Sequence, residues 1–339
     1  MAVLTSGLLI SWACNGPAPY SPGGAGGRNN QGGYYPVPST TPTVALTLTP
    51  APFVAAWQVD APNAMTEGNG FIYVAEADGS SVSQVQLFNN STYAPVTQWT
   101  GDGNKSFQFP DGVAVSPSGT GNVYVLDEGN SNGQGAAVYE LGQTSSAVGV
   151  SSWGGYGSTA FGDPSGIALD SSGNVYVSDI GNGAIYEFGS GGATAGEWSH
   201  GNFEPAAIAL DSSNNIYVVD AGNWVVWKLT GGISGTATSF PILASSPNDP
   251  FYGLSVDSAG NIYVAVYSPG SNSSNSGNIP GLVEVLNSSG TIIGEMNGNA
   301  GGATPFVGPD ALLLYNNLIF VADYDANSTG NIQVFTNTF

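Results

Sequence analysis

Basic side chains are almost missing from this sequence. Lysine and arginine together number 3 in 339 residues, against 24 aspartates and glutamates, for a formal net charge of −21 at pH 7. A field of that sign repels phosphate backbones, which argues against a nucleic-acid partner. There is one cysteine, Cys14, so no intramolecular disulfide can staple the fold. There is one histidine, His200. A metal site built on several histidines cannot be assembled from it, and with a single histidine a serine triad is disfavoured.

The shortage of cations leaves most carboxylates without a basic partner. They must be solvated, hydrogen-bonded, protonated or bound to a metal ion. Model carboxylate pKa values lie near ~4, so an acidic medium would neutralise most of them. An acid habitat suits this balance, and so does an ordinary exported Ser/Thr/Asn-rich β protein.

What is present is glycine, 50 residues of it, with 41% apolar residues. That combination fits a turn-dense β protein with a real core. The chain divides into three parts. Residues 1–14 form an apolar run ending in Ala13-Cys14, too short for a membrane span. It resembles a bacterial lipoprotein signal, with Cys14 as the lipidation point, although no Lys or Arg precedes the run. A free cysteine in a tail is the alternative. Residues 15–50 are rich in Pro, Gly, Ser and Asn and read as a linker. The expected localisation is the cell envelope or the extracellular space. Residues 51–339 are a repeat array.

The repeats are marked by a proline ahead of each first strand: Pro62, Pro110, Pro164, Pro205, Pro250 and Pro309. An aromatic residue keeps step in each second strand: Tyr73, Tyr124, Tyr176, Tyr217, Tyr263 and Phe320. Between them stand turns such as Asp170-Ser171-Ser172-Gly173-Asn174, where Gly and Asn accept positive φ cheaply. Six units of about four short strands each predict an all-β, six-bladed propeller. Closure is legible too. Trp99, Trp153 and Trp198 mark fourth strands, and the last unit lacks one. Phe53 to Val59, with Trp57, supplies it, so the N-terminal strand is expected beside Ile332–Phe335. Phe240 and Met296 stand nearest the Trp position in units 4 and 5.

The stretches Pro164-Ser165-Gly166-Ile167-Ala168 and Asn174-Val175-Tyr176-Val177-Ser178-Asp179-Ile180-Gly181-Asn182 resemble NHL repeats. The resemblance implies a propeller and no particular activity, because this architecture carries binding modules, scaffolds and enzymes alike. Where the family pattern has an arginine, this chain has Ala184 and Val225.

Acids collect on one face. Glu76, Asp127, Asp179, Asp220 and Asp323 end second strands, with Val266 in unit 5. Asp102, Asp111, Asp163, Glu204, Asp249 and Asp310 fall in the blade links. One reading is an acidic mouth that takes a divalent cation such as Ca²⁺ through Glu76, Asp127, Asp179, Asp220 and Asp323. The other is that each carboxylate caps its own turn through backbone N–H groups. His200 reads as a solvated loop residue. Two Ser/Asn/Gly-rich loops, 127–136 and 267–281, suit recognition of a protein or glycan partner, with Asn130, Asn132, Tyr267, Asn272 and Asn275 as contact residues. Trp224 and Trp227 fall on one face of a third strand and read as packing between blades. A non-catalytic binding or scaffold propeller is the leading expectation. A metal-dependent lactonase- or lyase-like enzyme at the acidic mouth is the alternative.

Overall fold

The second strands carry the most buried sequence in the chain. Val-Tyr-Val-Leu-Asp, Val-Tyr-Val-Ser-Asp and Ile-Tyr-Val-Val-Asp are buried at every position. Such runs sit in mid-sheet, covered on both faces, which is why they do not alternate. The computed structural model describes residues 51–78, 82–117, 121–129, 135–142, 147–242, 251–266, 281–299, 303–324 and 330–339.

These residues form six four-stranded antiparallel sheets. Blade 1 holds β2 (Pro62–Gly68), β3 (Phe71–Ala77), β4 (Ser83–Asn89) and β5 (Pro95–Trp99). Blade 2 holds β6 (Pro110–Val115), β7 (Val123–Asp127), β8 (Ala137–Gly142) and β9 (Val148–Trp153). A small hairpin, β10 (Gly155–Tyr156) and β11 (Thr159–Ala160), precedes blade 3. Blade 3 is β12 (Pro164–Leu169), β13 (Val175–Asp179), β14 (Ala184–Phe188) and β15 (Thr194–Ser199). Blade 4 is β16 (Pro205–Leu210), β17 (Ile216–Asp220), β18 (Val225–Thr230) and β19 (Thr236–Pro241). Blade 5 is β20 (Phe251–Val256), β21 (Ile262–Val266), β22 (Leu282–Leu286) and β23 (Ile292–Met296). Blade 6 joins β24 (Pro309–Tyr315), β25 (Leu318–Asp323) and β26 (Asn331–Thr336) to β1 (Phe53–Gln58). Trp57 pairs with Ile332, as the sequence predicts. Each inner strand touches the inner strands of both neighbouring blades, so the six sheets close into a ring.

The core is six wedges, one per seam. The seam between blades 6 and 1 holds Met65, Ile72, Val74, Phe320 and Val334, for example. On several seams an aromatic from one outer strand covers a turn of the next blade. Trp57 stacks on Tyr93 of blade 1 at 4.8 Å and 12°. Trp153 lies 5.5 Å from Phe188 of blade 3 and sits flat on Gly192, where a Cβ would strike the indole. Phe240 does the same at Gly290 of blade 5. Both glycines also need positive φ, at +83° and +80°. Tyr93 holds φ +58° with a bulky side chain, a strained geometry retained for its stack on Trp57.

On the opposite rim from the blade links, an aspartate closes the turn between the first and second strands of blades 3 to 5. Asp170 accepts from Ser172 N, Asn174 N and Asn174 Nδ2 at 2.8–2.9 Å and from the Tyr176 hydroxyl at 3.3 Å. Asp211 and Asp257 repeat the set with Asn215 and Tyr217, and with Asn261 and Tyr263. This chemistry explains why the turn sequence recurs with a tyrosine two places after its asparagine.

Trp57 bridges the strand that closes the ring to Phe88 and Tyr93 of the first blade. Trp57→Ala should cost about 3 kcal/mol of stability by loss of a packed aromatic. Val54→Thr, on the same strand but exposed, should stay within about 0.5 kcal/mol of the parent. Urea unfolding of the two variants provides the comparison.

Candidate functional site at the axial mouth

Each inner strand begins with a register shift. Pro62 pairs with Glu76, Pro110 with Asp127, Pro164 with Asp179, Pro205 with Asp220 and Pro309 with Asp323. The residue after each proline is then skipped by the ladder. Such a bulge re-aims a side chain. The skipped residues are Asn63, Asp111, Ser165, Ala206 and Asp310, while blade 5 skips two between Phe251 and Leu254. Asn63, Asp111, Ser165, Gly253 and Asp310 line an axial cavity of about 80 Å³.

The five strand-end acids stand one to a blade, and all are buried. Asp127 accepts from Gln108 N, Phe109 N and Gly129 N at 2.8–2.9 Å. Asp179 accepts from Gly162 N, Asp163 N and Asn182 N at 3.0 Å, and from Asn182 Nδ2 at 2.8 Å. Asp323 accepts from Val307 N and Gly308 N at 2.8 and 2.9 Å. Asp220 accepts from Glu204 N at 3.2 Å, Asn223 Nδ2 at 2.8 Å and Trp227 Nε1 at 3.0 Å. These carboxylates clasp the link that enters the blade, just ahead of its proline. Glu76 differs. Its Oε2 takes one bond from Gln84 Nε2 at 2.6 Å, and its Oε1 has no partner. Among the described residues, no three His, Cys, Asp or Glu side chains come together as a metal-holding group.

Burial, and after it the charge of neighbouring acids, raises several carboxyls of the mouth. Burial pushes Glu76 up to about 7; the bond from Gln84 opposes this and the charge of Asp60 adds to it. Burial likewise pushes Glu128 up to about 7, helped by the charge of Asp163, a hydrogen bond to it, and the charge of Asp127. Asp111 and Asp310 lie well above the carboxylate range, first through burial and then through neighbouring acids.

His200 is not the solvated loop residue its sequence context predicts. Its ring lies 4.6–5.3 Å from the rings of Phe203, Trp227 and Trp198, and its side chain is 26% exposed. Nε2 faces Asp220 Oδ2 at 3.1 Å and Nδ1 faces the Gly201 carbonyl at 2.9 Å. Both partners are oxygen atoms that can only accept. Trp227 comes from the next blade, which is why no local pattern marked this nest. Trp224 and Trp227 also part company. Trp224 sits in the turn before β18 at φ +55° and packs on the seam to blade 5, while Trp227 packs on the seam to blade 3.

The β10–β11 hairpin has no counterpart in the predicted repeat. Tyr156 at its start stacks on Tyr186 at 4.9 Å. Beside it lies an open cleft of about 540 Å³, lined by Trp153, Gly155, Ser158, Thr159, Gly192 and Thr194 without a charged side chain. Cys14, Asn130, Asn132, Tyr267, Asn272 and Asn275 lie outside the described residues.

Replacing Asp179 with alanine strands two link amides and should cost about 3 kcal/mol, read by urea unfolding. A second expectation concerns pH. Glu76 and Glu128 keep a proton that the unfolded chain releases above the model value of 4.5. They therefore favour the folded state less as pH climbs from about 4.5 to about 7, with no further loss above that window. Glu76→Gln and Glu128→Gln should each flatten the fall in stability over that window. An unchanged slope in both variants would assign the pH dependence to other groups.

Residues 161–186 match the family model for the NHL repeat. No protein of curated function matches the chain. Among solved structures, a catalytically inactive histidine-to-alanine variant of virginiamycin B lyase from Staphylococcus aureus, with quinupristin, is similar at a TM-score of 0.54 and 16% identity, over 84% of this chain and 89% of that one. A protein of unknown function from Bacteroides caccae gives 0.53 at 13% identity, over 74% and 82%. The WD40 repeats of RRP9 give 0.58 at 9% identity, over 86% and 82%. At such identities the likeness is one of fold. The matched segment runs from just ahead of β12 into β14, and the chain is a six-bladed β-propeller bearing an NHL repeat in its third blade.

Proposed function

We propose that the protein is a non-catalytic binding or scaffold propeller, exported and held at the cell envelope by a lipid on Cys14. One observation carries this reading. Asp127, Asp179, Asp220, Asp323 and the single histidine are bonded to groups of the protein itself, and Glu76, with one oxygen bonded to Gln84 and the other unpaired, is fully buried. A lactonase- or lyase-like mechanism needs acids or bases free to face a substrate. The lyase of similar fold is catalytically inactive as a histidine-to-alanine variant. In this chain the one histidine is packed among three aromatics and bonded to Asp220. The uncharged cleft beside β10–β11 offers hydroxyls, backbone groups and an indole to a neutral protein or glycan partner. In this reading the sequence stretches carrying Asn130, Asn132, Tyr267, Asn272 and Asn275 add further contacts.

The test has two arms. The purified chain is screened against glycans and crosslinked to proteins in its native envelope, with and without a chelator. In parallel it is titrated with Ca²⁺ by calorimetry and assayed for turnover of lactones and streptogramins. A partner retained in chelator, with no turnover, is expected. Stoichiometric heat from Ca²⁺ together with metal-dependent turnover would overturn the binding reading in favour of an enzyme.

A further inference from the structure

The axial cavity is polar on one side only. Three consecutive bulge positions, Asp310 of blade 6, Asn63 of blade 1 and Asp111 of blade 2, line it together. Across from them, Ser165 is already committed. Its hydroxyl donates to the Pro205 carbonyl at 2.6 Å and lies 3.1 Å from the Ser178 hydroxyl. Ala206 has no polar group to offer. The bore holds about two or three waters at ~30 Å³ each. Asn63 Nδ2 is buried there without a hydrogen-bond partner. An unpaired amide donor between two carboxyls is costly unless some state of the site uses it.

We propose that Asp111, Asn63 and Asp310 form a proton-operated collar around the axial bore. With both carboxyls protonated, they hydrogen-bond through the Asn63 amide and close the bore. Once ionised, they repel each other and the bore opens to water.

Charge supports the same picture. The groups acting on Asp111 are Glu128, Asp163 and Asp127, and those acting on Asp310 are Asp323 and Asp111. None is a cation. Asp127 and Asp323 are themselves engaged with link amides. Burial raises both collar carboxyls well above the usual range, so protons remain on them after surface acids have ionised. Because the collar residues are bulged out of the ladder, they can move without breaking a strand pair.

The experiment compares the full chain with Asp111→Asn, Asp310→Asn and the double variant, using Ser165→Ala as a control on the opposite wall. Infrared spectroscopy reads the carbonyl signal of protonated carboxyls at neutral pH. Hydrogen exchange by mass spectrometry, corrected for intrinsic base catalysis, reads the opening of β2, β6 and β24 as pH rises. The expected result is a protonated-carboxyl signal that falls in each Asp variant and not in Ser165→Ala. Protection of the three inner strands should fall with pH in the parent and become independent of pH in the double variant. Should the double variant not fold, each single variant must still weaken both effects. An infrared signal untouched by either substitution, or pH-dependent exchange that persists in the variants, would overturn the collar.

Discussion

A carboxylate holding the amides ahead of a proline is the contact on which this molecule depends. The proline opens the inner strand because it lacks an N–H that a ladder would require there. The residues just before it still have theirs, and the buried carboxylate at the end of the second strand collects them. Asp127, Asp179 and Asp323 each take two of those link amides, and Asp220 takes one. Each clasp therefore fixes where the chain leaves one blade and enters the next. It also uses up negative charge in a chain with almost no cations. The carboxylates are structural because amide dipoles have replaced the missing lysines and arginines. Blade 5, with Val266 in place of the acid, and blade 1, where Glu76 bonds to the Gln84 side chain, differ from this pattern in a ring whose four other blades keep it.

The seams show a second economy. A flat aromatic from one blade covers the turn of the next, and the covered residue is shaped to suit. At Gly192 and Gly290 the fit is made by leaving out a side chain. At the closing seam it is made by stacking, with Tyr93 in a conformation few tyrosines adopt. Each turn thus matches the aromatic that arrives on it, and the blades are not interchangeable.

Much of this was legible in the residues. The prolines, the second-strand tyrosines and the Asp-Ser-Ser-Gly-Asn turns report local chemistry, and local chemistry is written locally. Closure was legible because the tryptophans could be counted and one stood at the wrong end of the chain. The bulge was not, because Asn, Asp, Ser and Ala all occupy the position after the proline and nothing in them signals a register shift. Nor was the setting of His200, whose neighbour Trp227 and partner Asp220 belong to the following blade. The β10–β11 hairpin hides in a glycine-rich link that reads as mere turn. The candidate site was visible as a set of acids. What each acid does depends on amides brought to it by tertiary structure, and that part was not.

The pairing of β1 with β26 has a consequence for how the molecule comes into being. During synthesis at ~5–20 residues per second, β1 emerges tens of seconds before its mate. Throughout that interval it is a bare ribbon with one apolar side and no neighbour, while five sheets assemble downstream. Its contact with β26 is among the longest-range in the chain, so the final seal comes late and slowly. A nascent molecule meeting another in that state could trade ribbons with it, each completing the other's unfinished sheet. A chain that encloses itself by joining head to tail passes, every time it is made, through a stage at which a neighbour's head would serve equally well.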